Sequence, residues 1–337
     1  MDEQDDTLWG PELRMGPQLG KRAPTRLNWL GDFVFGDGVV YVKKTGVRIP
    51  LNAEVLTATA RWFAFFFAAE FWRLVKLLGA NRSPSIAFMP DRPRPWYLIW
   101  PVLHAAGARI VNDPSRADVV FHFDDATTSP SPLPLKTRPG VRLVNFACLD
   151  VSKSRVAEAF EEAFGYPLRI DPAVHQGPAV EKSELNGVHD GRMVHCPAAA
   201  LGGRVYQRLV DNRIDPDTVA DLRTPTVGGL PACVFIKERP IGVRFSNDNT
   251  RCSLKAAQDV FSPDELAAIA RFTRLIGLDW GGLDVLRDAS DGRLYIVDAN
   301  KTDMGPPTSL AFSEKLRATR LLASALSAYL AHPRDIA

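Results

Sequence analysis

Residues 281–300, GGLDVLRDASDGRLYIVDAN, decide how the rest of the chain is read. Leu283 and Val285, then Leu294 and Ile296, alternate with their neighbours on either side of a polar turn that contains Asp291 and Gly292. That period-two pattern is a β-hairpin. Each strand carries one acidic residue inside an apolar run, Asp284 on the first and Asp298 on the second. Asn300 follows Asp298 by two, so the pleat puts both side chains on one face. An ionised carboxylate in a buried strand is costly unless something positive sits against it. Two carboxylates and an amide oxygen converging across a hairpin make a hard, all-oxygen site of the kind Mg²⁺ takes together with nucleotide phosphates. The competing account makes Asp284 and Asp298 hairpin-end residues satisfied by turn amides.

The bulk of the sequence sets limits. The 337 residues are 46% hydrophobic and 24% charged, enough chain for two or three packed lobes. Basic and acidic side chains nearly cancel, 41 against 39, so the long-range positive field of a nucleic-acid binder is absent. Cys148, Cys196, Cys233 and Cys252 are widely spread with no C-x-x-C pair, which fits a reducing compartment and excludes a zinc motif. The acidic opening, MDEQDD, is the opposite of a signal peptide's basic start, so a cytoplasmic protein is expected. The most apolar stretch, 52–79, reads as a helix with Asn52 as N-cap and Gly79 as C-cap. Its uncharged centre, 62–69, is too short to span a bilayer. A buried helix or a subunit interface is expected there, with membrane-surface contact through 53–78 as the alternative.

Taken in order, residues 1–50 form an irregular segment with a short hairpin around Gly36, Asp37 and Gly38. Residues 51–150 then alternate strand and helix. Strands are expected at 85–89, 109–111, 119–122 and 141–146, with a helix over 95–106 that Gly107 closes, giving an open α/β layer. No G-x-G-x-x-G follows any of these strands. Asp124 and Asp125 sit at a strand end, where such layers place ligand-contacting residues. A Pro/Ser loop at 127–134 leads to an amphipathic helix ended by Gly165, with Val156, Phe160 and Phe164 as its apolar stripe. Next, a strand holding Lys182 runs into a polar loop with Gly187 and Gly191. Such a loop can bring N–H groups close to phosphate oxygens, and a strand lysine can neutralise them. Strands follow at 204–211, 221–224 and 232–236, then a cationic run from Lys237 and an amide-rich loop at 246–249. Ser262 and Glu265 make a capping box for a helix over 263–276, with Gly277 at C′.

This order of parts resembles the ATP-grasp superfamily over about residues 148–310. The segments that carry the likeness are G282-L-D-V…V297-D-A-N300, the Lys182 loop, and Asp221-Leu-Arg223. The resemblance implies an α/β fold, α+β within the grasp lobes. A pre-ATP-grasp-like open α/β domain at 51–150 would precede a small lobe at 151–205 and a large lobe at 206–337 that holds the metal. It further implies that Lys153 and Lys182 contact ATP phosphates under Gly187 and Gly191. Gln207, Arg208, Leu209 and Val210 would form the hinge that reads adenine, and Asp211 would meet the ribose. Arg223 and Arg239 would face the γ-phosphate or an acyl phosphate, and Asp284, Asp298 and Asn300 would hold Mg²⁺. Many relatives continue after this asparagine with a small residue and Pro-Gly. Here Lys301-Thr-Asp-Met-Gly-Pro-Pro307 follows, so the acceptor side differs.

The implied activity is an ATP-dependent carboxylate–amine ligase with small-molecule carboxylate and amine substrates and no nucleic acid. Two alternatives stand beside it: a kinase of the same scaffold that phosphorylates a hydroxyl, and a nucleotide-binding or membrane-associated protein without turnover. A homo-oligomer is left open.

Overall fold

The computed structural model describes residues 28–43, 47–79, 83–132, 135–188, 190–246 and 249–331. The acidic opening, part of the Pro/Ser loop (133–134) and part of the amide-rich loop (247–248) lie outside the described residues. Two compact units divide between Phe67 and Ala68.

In the first unit, β1 (Phe33–Gly36), β2 (Val39–Val42) and β3 (Val47–Pro50) form an antiparallel meander. The expected hairpin is present. Asp37 and Gly38 turn it, both at positive φ (49° and 72°), which matches the twist of a two-residue hairpin. The helix α1 (Ala53–Gly79), inside which the division falls, starts on Asn52, whose Oδ1 accepts from Val55 N at 2.8 Å, the expected cap. Trp29 lies buried, edge-on to Trp62 and tilted on Phe66.

The second unit opens with β4 (Ser85–Pro90), α2 (Ile99–Ala106), β5 (Arg109–Ile110), β6 (Val119–Phe123) and β7 (Arg142–Val144). These strands pair in parallel in the order β5-β4-β6-β7, the open α/β layer that strand–helix alternation predicts. The helix begins at Ile99 and not at Pro95. The reach before it is pinned elsewhere, because Leu98 N donates to Asp303 O (2.9 Å) and Gly305 N donates to Trp96 O (3.0 Å). Gly107 closes the helix in the left-handed region, as expected.

Beyond the layer come α3 (Lys153–Phe164) and a small antiparallel sheet of β8 (Gly177–Ser183), β9 (Arg192–Cys196) and β10 (Arg204–Arg208), ordered β10-β8-β9. A larger sheet follows, built from β11 (Thr218–Val227), β12 (Leu230–Pro231), β13 (Val234–Pro240) and β14 (Arg251–Lys255). After α4 (Pro263–Leu275) it is completed by β15 (Trp280–Arg287) and β16 (Leu294–Asn300). Its order is β14-β13-β11-β15-β16, antiparallel throughout, with β12 folded back on β11. The chain closes on α5 (Phe312–Ala331).

Among the described residues, two large buried clusters bind the elements of this unit to one another. On one face of the large sheet, α3 and α4 bring Val156, Phe160, Ile269 and Phe272 against Leu222, Leu283, Val285 and Tyr295. The other cluster joins the parallel layer and α2 to α5 and to Val227, Phe235 and Trp280 of the large sheet. The layer and the large sheet therefore share one core. Asn145, at φ 62°, fixes that junction. Its Oδ1 accepts from Asp279 N and Trp280 N at 2.9 Å each, and its Nδ2 donates to Trp280 O at 2.7 Å.

Candidate functional site

Register builds the site. Arg223 on β11 lies directly opposite Asp284 on β15, and Asp284 directly opposite Asp298 on β16. Three charges thus form one transverse row on a single face of the sheet. The same pleat adds Asn300, Asp221, Lys237 and Arg239 to that face, two residues apart along their strands. Directly opposed like charges repel across a ladder. Asp284 and Asp298 are relieved by cations from other elements.

Arg223 donates through Nη1 to Asp284 Oδ1 at 2.9 Å and through Nη2 to Asp303 Oδ1 at 2.5 Å. Burial alone would raise the Asp284 carboxyl, but the Arg223 guanidinium, helped by Lys237, overrides it and holds the group at about 2. For Asp303 the balance falls the other way. Burial raises its carboxyl despite Arg223, and its Oδ2 is buried without a hydrogen bond. Gly282 makes room for this cluster: a Cβ there would meet Asp303 Oδ2 at 2.3 Å and Arg223 Nε at 2.9 Å.

Lys153, the first residue of α3 and buried, donates to Asp298 Oδ1 at 2.6 Å and to Asn186 Oδ1 at 3.0 Å. Ser152 caps the helix that aims it. The ladder between β15 and β16 pairs Asp284 with Asp298 and Val285 with Ile296, so Val297 is skipped. Its carbonyl accepts from Lys182 Nζ at 2.9 Å, reaching across from the small sheet. Burial brings the Lys182 ammonium down to about 8, against the pull of Asp298. Lys182 and Gln207 share the small-sheet face, because Lys182 opposes Val205 and Val180 opposes Gln207. Gln207 is 2% exposed and its Nε2 has no hydrogen-bond partner.

The other sequence-derived residues fall as follows. Gly187 turns the loop at φ 75° in open space, and Gly191 lies 3.5 Å, by its would-be Cβ, from Phe245; His189 between them is outside the described residues. Arg208 reaches Asp288 (3.5 Å) and lies over the Tyr295 ring, pointing away from the charged row. Leu209 is half-buried and Val210 buried, with the Val210 carbonyl accepting from Arg244 Nη2 at 2.7 Å. Asp211 is held by Arg213 through both oxygens. Arg239 is buried and engaged by Asp221, by Asn249 Oδ1 (2.9 Å) and by the Arg244 carbonyl (3.0 Å). Asn300 keeps its Oδ1 on Thr302 N (2.8 Å).

Lys237 and Asp303 belong beside this row, although the sequence reading assigns neither of them a place in the site. The period-two rule applied back from Arg239 would have found Lys237. Asp303 carries no such signal, since only a loop brings it under Arg223. That loop is anchored from the layer. Lys301 Nζ donates to Ser129 Oγ, Ser129 Oγ to Asp124 Oδ2, and Thr302 Oγ1 to Asp125 Oδ1, at 2.5–2.6 Å.

Among the described residues no three His, Cys, Asp or Glu side chains gather as a ready-made metal cage. The donor set of Asp284, Asp298 and Asn300 still fits a hard divalent cation. All its donors are oxygens, and the opposed carboxylates need positive charge between them, with phosphate and water oxygens left to complete a shell.

No family model and no curated protein matches the chain. Solved structures similar to it include the ATP-grasp ligase PsnB complexed with minimal precursor, Mg and ADP, at 14% identity over 74% of this chain and 98% of that one, with a TM-score of 0.48. PsnB with a phosphomimetic precursor variant matches at 18% over 57% of this chain and 62% of that one (TM-score 0.40). A RimK domain protein ATP-grasp from Sphaerobacter thermophilus is 16% identical over 74% of this chain and all of that one (TM-score 0.41). VanG D-Ala:D-Ser ligase from Enterococcus faecalis is 12% identical over 66% of this chain and 74% of that one (TM-score 0.39). Among the described residues no helix is long and apolar enough to cross a membrane.

Proposed function

We propose that this chain is an ATP- and Mg²⁺-dependent ligase of the ATP-grasp type, which activates a carboxylate as an acyl phosphate for attack by an amine. The observation that carries the proposal is convergence. Lys153 from α3, Lys182 from the small sheet and Arg223 from β11 all reach the one hairpin that bears Asp284 and Asp298. Lysines far apart in sequence, gathered on an acidic hairpin between two sheets, suit a polyphosphate and its metal better than they suit a structural ion pair.

In this reading ATP lies between the two sheets. Gln207, with its buried amide nitrogen unpartnered, and the backbone of 208–210 receive the adenine. Lys153 and Lys182 turn from Asp298 and the Val297 carbonyl to the phosphate oxygens. Asp284, Asp298 and Asn300 would hold Mg²⁺, which would supply charge neutralisation to the phosphates. A substrate carboxylate oxygen bonds to the γ-phosphorus as the bond from that phosphorus to ADP breaks. Arg223 spreads the charge that develops on the equatorial oxygens. The amine nitrogen then bonds to the acyl carbon, phosphate leaves, and the nitrogen loses its proton. Positioning and electrostatics are the whole of the protein's task here.

Purified protein should bind Mg·ATP in a calorimeter and release ADP when the right carboxylate and amine are supplied. Hydroxylamine should trap the acyl phosphate as a hydroxamate. Lys182→Ala and Asp298→Asn should each lower turnover on the order of 10²-fold. Unchanged turnover in both variants would remove the site. A phosphorylated alcohol in place of a hydroxamate would make the protein a kinase.

A further inference from the structure

The helix α1 carries two stripes. Trp62, Phe65, Phe66, Ala69 and Arg73 are half-buried or buried along one side. On the opposite side Ala53, Thr57, Ala60, Ala64, Phe67, Phe71, Leu74 and Leu78 follow one another at spacings of 4, 3, 4, 3, 4, 3 and 4, and all eight are exposed. This is an unbroken coiled-coil seam. Phe67, Phe71, Leu74 and Leu78 are 63, 64, 51 and 89% exposed, far beyond a scatter of single surface apolars. The single hydroxyl on the seam is already satisfied, since Thr57 Oγ1 donates to Ala53 O at 2.7 Å.

We infer that this seam is the interface of a two-fold homodimer in which two copies of α1 pack antiparallel. Size along the seam selects both the partner and its direction. The first four positions are small and the last four large. Antiparallel pairing about a point midway between positions 65 and 66 sets Ala53 against Leu78, Thr57 against Leu74, Ala60 against Phe71 and Ala64 against Phe67. Every layer then holds one small and one large side chain, filling space evenly. It also alternates the two heptad positions across each layer, as antiparallel pairs require. Parallel pairing would stack phenylalanine on phenylalanine at one end and leave alanine facing alanine at the other. A second copy of this chain is the one partner guaranteed to carry the reversed series, and an isologous contact is self-complementary by definition. With Leu56 and Val75 flanking the seam, the apolar surface offered is on the order of 600 Å² per copy, close to the ~800 Å² per partner of standard specific interfaces.

Light scattering on the full chain should give twice the chain mass. Phe71→Asp, and separately Ala60→Asp from the same layer, should halve it with an unchanged far-ultraviolet spectrum. The double variant Ala60→Cys/Phe71→Cys should oxidise to a 60–71′ link, found by peptide mass. Ala60→Cys alone should not self-link, because antiparallel helices hold the two copies of that position roughly 16 Å apart along the axis, beyond disulfide reach. The four native cysteines are buried and do not compete. A single-chain mass at about 100 μM, a dimer that survives both aspartates, or a 60–60′ link would each overturn the inference. So would dimerisation that appears only after residues 1–27 are deleted, which would make that segment the occupant. Flotation of a single-chain species with phosphatidylcholine/phosphatidylglycerol vesicles, abolished by Phe71→Asp, would assign the seam to a membrane surface and equally overturn it.

Discussion

Lys182 should set the pH response of nucleotide binding. Its ammonium is brought down to about 8 by burial between the sheets. Phosphate oxygens placed against it favour the charged form, so its pKa rises in the complex and a proton is taken up on binding above pH 8. Affinity for ATP without metal should therefore fall above about pH 8, by up to tenfold per pH unit. Titration calorimetry in buffers of different ionisation enthalpy reads both the affinity and the proton, and Lys182→Met should flatten the profile. At the same scale, Gly282→Ala would drive a Cβ into Asp303 Oδ2 and Arg223 Nε. Neither partner is the loose end of a surface chain, so about 1–3 kcal/mol of stability should be lost by urea titration, with Arg223 displaced. Asp284 and Asp298 were legible because an acidic residue inside an apolar strand needs a reason. Asp303 was not, because it sits in a loop and only the folded path carries it to Arg223.

Among elements, α4 shows local sequence acting alone. Ser262 and Glu265 form both bonds of the predicted capping box. Ser262→Ala should cost about 1 kcal/mol. Gly277→Ala at the other end should cost more, by the same urea measurement. There φ is +70°, and a Cβ would come within 2.5–2.7 Å of Ala147, mostly of its backbone. The capping motif could be read from spacing, but the clash could not, since Ala147 lies on another element. Two elements escaped the sequence reading for opposite reasons. The sequence pattern over 95–106 overstates the helix by four residues, because the start signal of Pro95 loses to bonds from the 303–305 loop. The helix α5 stands outside the sequence expectations, although Ala318, Leu322 and Leu326 repeat at helical spacing and are buried. Its partners on α2 and the large sheet make that stripe meaningful only after folding.

At the scale of the molecule, the shared core makes the layer and the large sheet one cooperative body among the described residues of the second unit. Leu322 is fully buried where α5 meets both, so Leu322→Ala should cost about 2–5 kcal/mol. Amides of β4, β6, β11 and β15 should then lose hydrogen-exchange protection together. Loss confined to the layer would show two separate cores. The sequence by itself determined the open α/β layer, the hairpin with its two carboxylates, the caps and the lysine strand. These follow from periodicity, from turn residues and from the cost of burying charge, all of which act within a dozen residues. Tertiary structure decided the partners. It brought Lys153 and Lys182 to the same hairpin, set Asp303 under Arg223, and left the α1 seam facing outward. Those outcomes depend on strand register and on which faces meet, and the energies that choose them exist only once distant segments touch.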